Sequence, residues 1–293
     1  MTRLIDVDSP TPAGPAMTGL LASLDRPPSG HRRPVWFDNL TYCREKLLAG
    51  RPVPWCSPAE LAAFYGRAQD MFGSDAVLVD LADLYGQRAA EDRLRQAMGA
   101  RRRPGYPLRV LLGDERTRSC AEGAVGRLTA GTVAVPTLLT LPSPARWLSV
   151  AARQAGQDDE PPDRDQAETA AFSVADLLQI FADTGLDGLL LDEGPTGVAD
   201  LMDPRVYQAV LDVAAGSGWP VFVRTDAAPA WPHGPVPGVA GWLGSGPPQR
   251  AGLRWGLVTA EERWAAADCD LVLAATPADG DPDTIMRSVR ERP

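Results

Sequence analysis

Short apolar runs alternate with amphipathic stretches along most of this chain. Residues 76–79, 189–191 and 221–223 are apolar throughout, which is the pattern of strands buried on both faces of a parallel sheet. Between such runs, side chains such as Leu61 and Phe64 recur at helical spacing and indicate a helix with one buried face. The pattern predicts an α/β protein in which helices cover a parallel sheet.

Local signals predict where the helices begin. Ser57-Pro-Ala-Glu60 has the spacing of a capping box with proline at the first helical position, and Ser143-Pro144 and Asp203-Pro204 are similar starts. Ser173 is predicted to cap the helix that leads to the 189–191 strand. Residues 108–112 are a further strand candidate, so the total is seven to nine strands.

This number of strands fits a (β/α)8 TIM-type barrel or an open parallel sheet. We favour the barrel, with some late helices reduced to loops, because the proline-rich links at 227–238 and 244–252 are poor helix formers. Residues 1–33 predict a flexible proline-rich arm with one short apolar turn at 20–24. Residues 34–293 are predicted to form a single barrel domain.

Composition narrows the classes of function. The 293 residues carry a net charge of −9, which argues against a nucleic-acid surface and fits a protein that handles a small molecule. No run approaches the roughly 18 apolar residues of a membrane helix, and the N-terminus lacks a signal-peptide pattern. The sequence therefore predicts a cytoplasmic protein without membrane contacts. A homodimer is left open.

Standard cofactor and metal motifs are missing from the sequence. The four cysteines are widely spaced without a C-x-x-C pair, and there are two histidines, so we expect neither a zinc site nor a disulfide framework. No nucleotide-binding glycine motif follows a strand. The single lysine, Lys46, is the one Schiff-base candidate and lies in a polar stretch that is predicted to be exposed. We expect no cofactor and no metal.

The candidate site consists of polar residues at predicted strand ends, because these ends share one mouth in a barrel. The adjacent acids Asp192 and Glu193 could split their pKa values if pressed together and so supply a general acid near neutrality. The alternative is that such acids cap helices or hold loops. The catalytic candidates are Asp80, Asp83, Asp192 and Glu193, and the substrate-binding candidates are Arg224, Asp226, Asp38, Asn39, Tyr85 and His233.

Several stretches also carry a resemblance to a known family. They read Arg33-Pro-Val-Trp-Phe37, Pro58-Ala-Glu-Leu61, Phe72-Gly-Ser-Asp-Ala-Val-Leu-Val-Asp80, Val135-Pro-Thr-Leu-Leu-Thr-Leu-Pro-Ser-Pro144, and residues 185–193 and 271–284. Together they resemble the superfamily of uroporphyrinogen decarboxylase and cobalamin-independent methionine synthase, whose members are (β/α)8 barrels. The resemblance implies that Asp80 or Asp83 matches the catalytic aspartate at the end of the family's second strand.

The chain departs from the family where the family binds its substrates. Asp38-Asn-Leu-Thr-Tyr42 replaces the decarboxylases' arginine-containing segment, and Val223-Arg-Thr-Asp226 replaces the zinc-binding H-x-C of the methyltransferases. Thr276-Pro-Ala-Asp-Gly280 stands in place of the late G-H-G segment. The resemblance therefore implies the scaffold rather than porphyrinogen decarboxylation or zinc-dependent methyl transfer.

Three functions are compatible with these residues. The first is a metal-independent, decarboxylase-like lyase in which Arg224 holds a small carboxylated metabolite and Asp80 or Asp83 moves a proton. The second is a non-catalytic or partner-binding protein on a degenerate barrel. The third is a one-carbon or methyl transferase that has lost its zinc site. The lyase requires the strand-end acids and Arg224 to converge on one cavity.

Overall fold

A computed structural model describes residues 19–131, 135–157, 160–194, 203–225, 236–244, 254–259 and 269–290. Eight strands form one parallel sheet, in the order β1-β8-β7-β6-β5-β4-β3-β2. The strands are β1 (Val35–Asp38), β2 (Val77–Asp80), β3 (Thr137–Pro142), β4 (Gly188–Asp192), β5 (Val221–Arg224), β6 (Val239–Gly244), β7 (Arg254–Thr259) and β8 (Leu271–Ala275).

Helices alternate with these strands through the first two thirds of the chain. They are α1 (Leu20–Asp25), α2 (Leu40–Leu48), α3 (Pro58–Phe72), α4 (Leu81–Ala89), α5 (Asp92–Gly99), α6 (Tyr106–Leu112), α7 (Glu115–Thr129), α8 (Pro144–Gln154), α9 (Arg164–Leu178), α10 (Gln208–Gly216) and α11 (Pro282–Arg290), with 3₁₀ turns at Gln179–Phe181 and Pro204–Tyr207. No helix in the described ranges is long and apolar enough to cross a membrane.

The two end strands of the sheet, β1 and β2, are joined by side chains at the start of β2. The Asp75 carboxylate accepts a 2.9 Å hydrogen bond from the Val35 amide, and the Asp75 amide donates to the Val35 carbonyl at 2.9 Å. The Ser74 hydroxyl accepts from the Phe37 amide at 3.1 Å. These bonds bridge the remaining seam, so the sheet is a nearly closed barrel. The predicted (β/α)8 fold is confirmed.

Side chains alternate between the two faces of every strand, and this alternation builds the barrel in layers. One face packs inside the barrel and the other packs against the helices. Two residues further along several strands, the same inward face becomes polar. The interior layer includes Trp36, Leu78, Leu138, Leu190, Phe222 and Leu243.

The amino-terminal end of the barrel is covered by α1. Leu20 and Leu24 are buried in the interior cluster. A Cβ atom at Gly188 would lie 2.6 Å from Leu20 Cδ2, so the glycine allows this close approach. The short apolar turn predicted at 20–24 is thus a helix, and its leucines pack against the base of the barrel.

Two local predictions are wrong. Residues 108–112 belong to α6 rather than to a strand, because a short apolar run does not by itself distinguish the two structures. Ser173 lies inside α9, which begins nine residues earlier at Arg164, after a reciprocal capping box between Asp163 and Gln166. At Ser57 the helix begins as predicted, with Pro58 in its first turn, but the serine side chain makes no capping hydrogen bond.

The expectation about cysteines also needs correction. Cys56 and Cys120 form a disulfide with a Cα–Cα distance of 4.9 Å, which ties the loop before α3 to α7. Cys43 and Cys269 are not part of a disulfide. The packing of α3 against α7 brings these two cysteines together. Because they are 64 residues apart in the sequence, no local pattern predicts that they meet.

Several late features lie outside the described residues. They include most of the proline-rich links at 227–238 and 244–252. The reduction of late helices to loops therefore stays a prediction.

Candidate active site

A cavity of about 110 Å³ lies at the carboxyl ends of the strands. This is the end of a (β/α)8 barrel at which active sites are found. The cavity is smaller than the roughly 300–1,000 Å³ clefts that hold drug-sized ligands. Its polar lining consists of Asp38, Asn39, Asp80, Thr140, Arg146, Asp192 and Arg224.

An ion pair spans this mouth. Arg224 Nη1 donates to Asp38 Oδ2 at 2.6 Å. Both residues end their strands at the position that follows the interior layer, and the Asp38 side chain remains 41% exposed. The pair joins β5 to β1, which stand four strands apart in the sheet order. It therefore braces opposite sides of the barrel.

A second ion pair forms the neighbouring wall. Arg146 Nη1, in the first turn of α8, lies 2.6 Å from Asp192 Oδ2 at the end of β4. Asp192 Oδ1 accepts a 2.8 Å hydrogen bond from the Gly194 amide. Gly194 has a φ of 77° and a Cβ atom there would lie 2.8 Å from the Arg146 guanidinium. The left-handed φ favours glycine in the turn after β4, and the absence of a side chain there leaves room for the guanidinium.

Asp38 and Asp192 are each paired with an arginine. Asp80, in contrast, forms no ion pair within the described residues. One oxygen accepts a 2.8 Å hydrogen bond from the Ala82 amide, so the residue is the N-cap of α4. Burial raises the pKa of Asp80 to about 7, the Ala82 hydrogen bond opposes this rise, and the charges of Asp38, Asp83 and Asp192 add to it. Asp80 can therefore exchange a proton near neutral pH.

Thr140 is a cavity residue that sequence reasoning missed. It stands on β3 in register with Asp80 on β2 and with Leu190 on β4. Its hydroxyl oxygen is buried and has no hydrogen-bond partner among the described residues. The available signal was its position two residues after the inward-facing Leu138.

Two predicted site residues have structural partners away from the cavity. Asp83 accepts hydrogen bonds from Trp55 Nε1 at 2.7 Å and Gln87 Nε2 at 2.8 Å. Tyr85 is fully buried against Trp147, with ring centroids 5.4 Å apart. Neither residue lines the cavity. Both lie on α4, whose turns direct them towards neighbouring loops and helices.

Glu193 does not join Asp192 in the mouth. Adjacent strand-end residues point to opposite faces, and Glu193 is buried outside the barrel wall, where its Oε2 accepts a 2.6 Å hydrogen bond from Ser143 Oγ. Burial raises the pKa of Glu193, while the Ser143 and Tyr207 side chains oppose that rise. The prediction that the two acids face each other is wrong, although the Asp192 charge still contributes to the raised pKa.

The remaining predicted residues differ in whether the structure describes them and whether they line the cavity. Asp226 and His233 lie outside the described residues. Asn39 lines the cavity as predicted, without a side-chain capping bond to α2. Lys46 lies on α2 with its ammonium 5.5 Å from the Tyr42 ring centroid and does not line the cavity. Within the described ranges no set of three or more His, Cys, Asp and Glu side chains is arranged to hold a metal ion.

Comparison with known proteins adds little to this picture. No protein-family model matches the chain, and no curated protein matches it. The chain is similar to the solved structure of a "putative phosphonomutase" from Burkholderia cenocepacia J2315, with 13% identity, a TM-score of 0.37, and coverage of 78% of this chain and 87% of that chain. A match at this TM-score carries no argument about function. The fold and site define a (β/α)8 barrel with an acidic, arginine-containing mouth.

Proposed function

We propose that this barrel is a metal-independent lyase of the decarboxylase type that acts on a small carboxylated metabolite. The observation that carries the proposal is Asp80, a carboxyl group with a pKa of about 7 in the wall of a cavity that also holds two arginines. A general acid works best when its pKa lies near the working pH. In the sequence resemblance to the uroporphyrinogen decarboxylase superfamily, Asp80 or Asp83 matches the family's catalytic aspartate, which supports this role for Asp80.

Arg224 and Arg146 are the groups that would bind the substrate carboxylate. A guanidinium carries five N–H donors in a planar fork and can therefore contact more than one carboxylate. Arg224 can keep its bond to Asp38 while it receives a substrate anion, and Arg146 can do the same beside Asp192. The existing ion pairs fix both guanidinium groups in the mouth before a ligand arrives.

The chemical step follows from this arrangement. The bond between the substrate carbon and its carboxylate breaks, CO₂ leaves, and the bonding electron pair stays on the carbon. Protonated Asp80 then gives its proton to that carbon, and water restores the proton to Asp80. This step needs a positioned acid and a clamp for the anion, which are the roles of Asp80 and the arginines.

A non-catalytic partner-binding protein is the second candidate. It is favoured by one observation, namely that Asp38 and Asp192 already neutralise the charges of Arg224 and Arg146. A mouth of this kind can be a structural brace rather than an anion site. The two candidates differ in whether a small carboxylate binds in the cavity.

A thermal-shift screen against small carboxylic acids tests the proposal, because a ligand that binds only the native state raises the melting temperature. We expect a carboxylate to stabilise the native protein and Arg224→Ala to abolish the effect. Arg116→Ala is the control, because this arginine lies on α7 and does not line the cavity. Absence of a shift with every acid would favour the partner-binding candidate.

A further inference from the structure

The Thr140 hydroxyl is a buried polar group in the cavity wall. Its Oγ1 atom is buried and unpartnered among the described residues. The residue lines the cavity between the strands of Asp80 and Asp192. Buried hydroxyl groups normally have a hydrogen-bond partner, and a hydroxyl can donate one bond and accept others. The Thr140 hydroxyl is therefore available to form a hydrogen bond with a ligand in the cavity.

Asp80 stands beside Thr140 on the neighbouring strand. The Cα atoms of Asp80 and Thr140 are paired in the register of β2 and β3, and neighbouring strands lie about 4.8 Å apart. Both side chains point into the barrel from the layer above Leu78 and Leu138. A ligand atom that accepts from Thr140 is consequently adjacent to the atom that receives a proton from Asp80.

Decarboxylation requires a place for the electron pair that the departing CO₂ leaves behind. An amine of the protein can create one by forming a Schiff base, but the single lysine lies over Tyr42 and away from the cavity. A carbonyl group that is already part of the substrate, two bonds from the carboxylate carbon, serves the same purpose. Its oxygen becomes negative as the C–C bond breaks.

We propose that the substrate is a small 3-oxo acid and that Thr140 donates a hydrogen bond to its keto oxygen. This inference rests on the proposed lyase function and adds the substrate class and a further binding residue. The small volume of the cavity, about 110 Å³, fits a short-chain acid. A donor aimed at the oxygen on which charge develops stabilises the transition state more than the ground state.

The reaction balances without a further reactant. The C–C bond between the carboxylate carbon and the neighbouring carbon breaks, and CO₂ leaves. The electron pair forms the carbon–carbon double bond of an enolate, whose oxygen accepts from Thr140. Protonated Asp80 then protonates the enolate carbon to give the ketone, and a water molecule returns the proton to Asp80.

Paired ligands test the inference directly. Binding is measured by calorimetry for acetoacetate, 3-oxopentanoate and 3-oxoglutarate, each against the acid of equal length that lacks the keto oxygen: butyrate, pentanoate and glutarate. Native protein is compared with Thr140→Val, which keeps the shape of the side chain, and with Thr140→Ser, which keeps the hydroxyl. Release of CO₂ from each 3-oxo acid is followed in parallel.

We expect native protein to bind at least one 3-oxo acid about tenfold more tightly than its partner, which corresponds to the upper range for a neutral hydrogen bond. The preference for the 3-oxo acid should be lost in Thr140→Val and kept in Thr140→Ser. The rate of CO₂ release should likewise fall in Thr140→Val and be kept in Thr140→Ser. Unchanged melting temperatures of the ligand-free variants would show that the fold is intact.

Three results would overturn all or part of the inference, and they have different consequences for the proposed function. If keto and non-keto acids bind equally well and binding depends on Arg224, the substrate class is wrong while the carboxylate site stands. If neither kind of acid binds native protein, both the inference and the lyase function fail. A preference that survives in Thr140→Val would remove Thr140 from the site.

Discussion

Arg224 on β5 and Asp38 on β1 form a 2.6 Å ion pair across the mouth of the barrel, between strands that stand on opposite sides of it. One layer deeper, the same two strands contribute Trp36 and Phe222, whose rings meet edge to face with centroids 5.2 Å apart. Opposite strands are thus in contact at two successive levels. The aromatic pair closes the interior, and the ion pair above it forms part of the cavity wall.

This ion pair should contribute modestly to stability. We expect a double-mutant cycle of Asp38→Asn and Arg224→Gln to give a coupling free energy of about 1 kcal/mol, because the Asp38 side chain is 41% exposed and exposed pairs are screened by solvent. Urea denaturation measures it, and high salt should lower it. The exposed pair of Arg95 and Asp92 on α5 is the control. A coupling no larger than that of the control would show that the pair does not brace the mouth.

Asp80 should make the stability of the protein depend on pH. The pKa is about 7 in the folded protein and about 3.9 in an unfolded chain. Between these values the folded state holds a proton that the unfolded state has lost, so stability falls as the pH rises through this window and levels off above it. Asp80→Asn should therefore be stabilising by on the order of 2–4 kcal/mol at about pH 8.5 and nearly neutral at about pH 3.5.

Chemical denaturation of both proteins across the pH range checks this prediction. Asparagine is also a good N-cap, so the bond to the Ala82 amide is largely retained. Asp163→Asn, the same change at the exposed N-cap of α9, measures the effect of the cap alone. A stabilisation by Asp80→Asn that is the same at both ends of the pH range would contradict the raised pKa.

Gly194→Ala should damage the mouth through Arg146. The glycine has a φ of 77°, and an added Cβ atom would come within 2.8 Å of the guanidinium. We expect a loss of roughly 1–3 kcal/mol in the free energy of unfolding together with loss of the Arg146–Asp192 pair. The matched control is Gly126→Ala in α7, where no atom lies within 4 Å of the added Cβ and alanine favours the helix. Equal effects of both changes would contradict this role of Gly194.

The Cys56–Cys120 disulfide closes a loop of 64 residues and should stabilise the protein by roughly 4 kcal/mol in the chain-entropy view. We expect dithiothreitol to lower the melting temperature of the native protein and to leave Cys56→Ala/Cys120→Ala, which already lacks the link, unchanged. A native protein that is insensitive to the reductant would mean that the bond is absent in solution. Since disulfides are uncommon in the cytosol, this measurement also bears on the predicted cytoplasmic location.

Five of the eight predicted site residues that the structure describes line the cavity, and their positions in the strands explain why. Asp38, Asp80, Asp192 and Arg224 each stand two residues after an inward-facing apolar residue of their own strand. Glu193 stands one residue later than Asp192 and therefore faces the helices. The strand-end rule places these residues at the end of the barrel that holds the cavity, while the period-two alternation decides which of them face it.

The two missed residues show a different limit. Thr140 follows the same alternation as the acids but is neither charged nor at the last position of its strand. Arg146 belongs to a helix, and it enters the cavity because Gly194 leaves room for its guanidinium. No local pattern around residue 146 indicates this contact, since it depends on a turn 48 residues further along.

The sequence by itself determined the alternation of strands and helices and several helix starts, such as those of α3 and α8, because burial on both strand faces and the capping of free backbone amides are local requirements. It also determined which residues end the strands. Only the tertiary structure decided that β1 stands opposite β5 and that Cys56 meets Cys120. These contacts depend on how the sheet closes and on how helices from distant segments pack together. Sheet closure and helix packing produce no periodic pattern in the sequence.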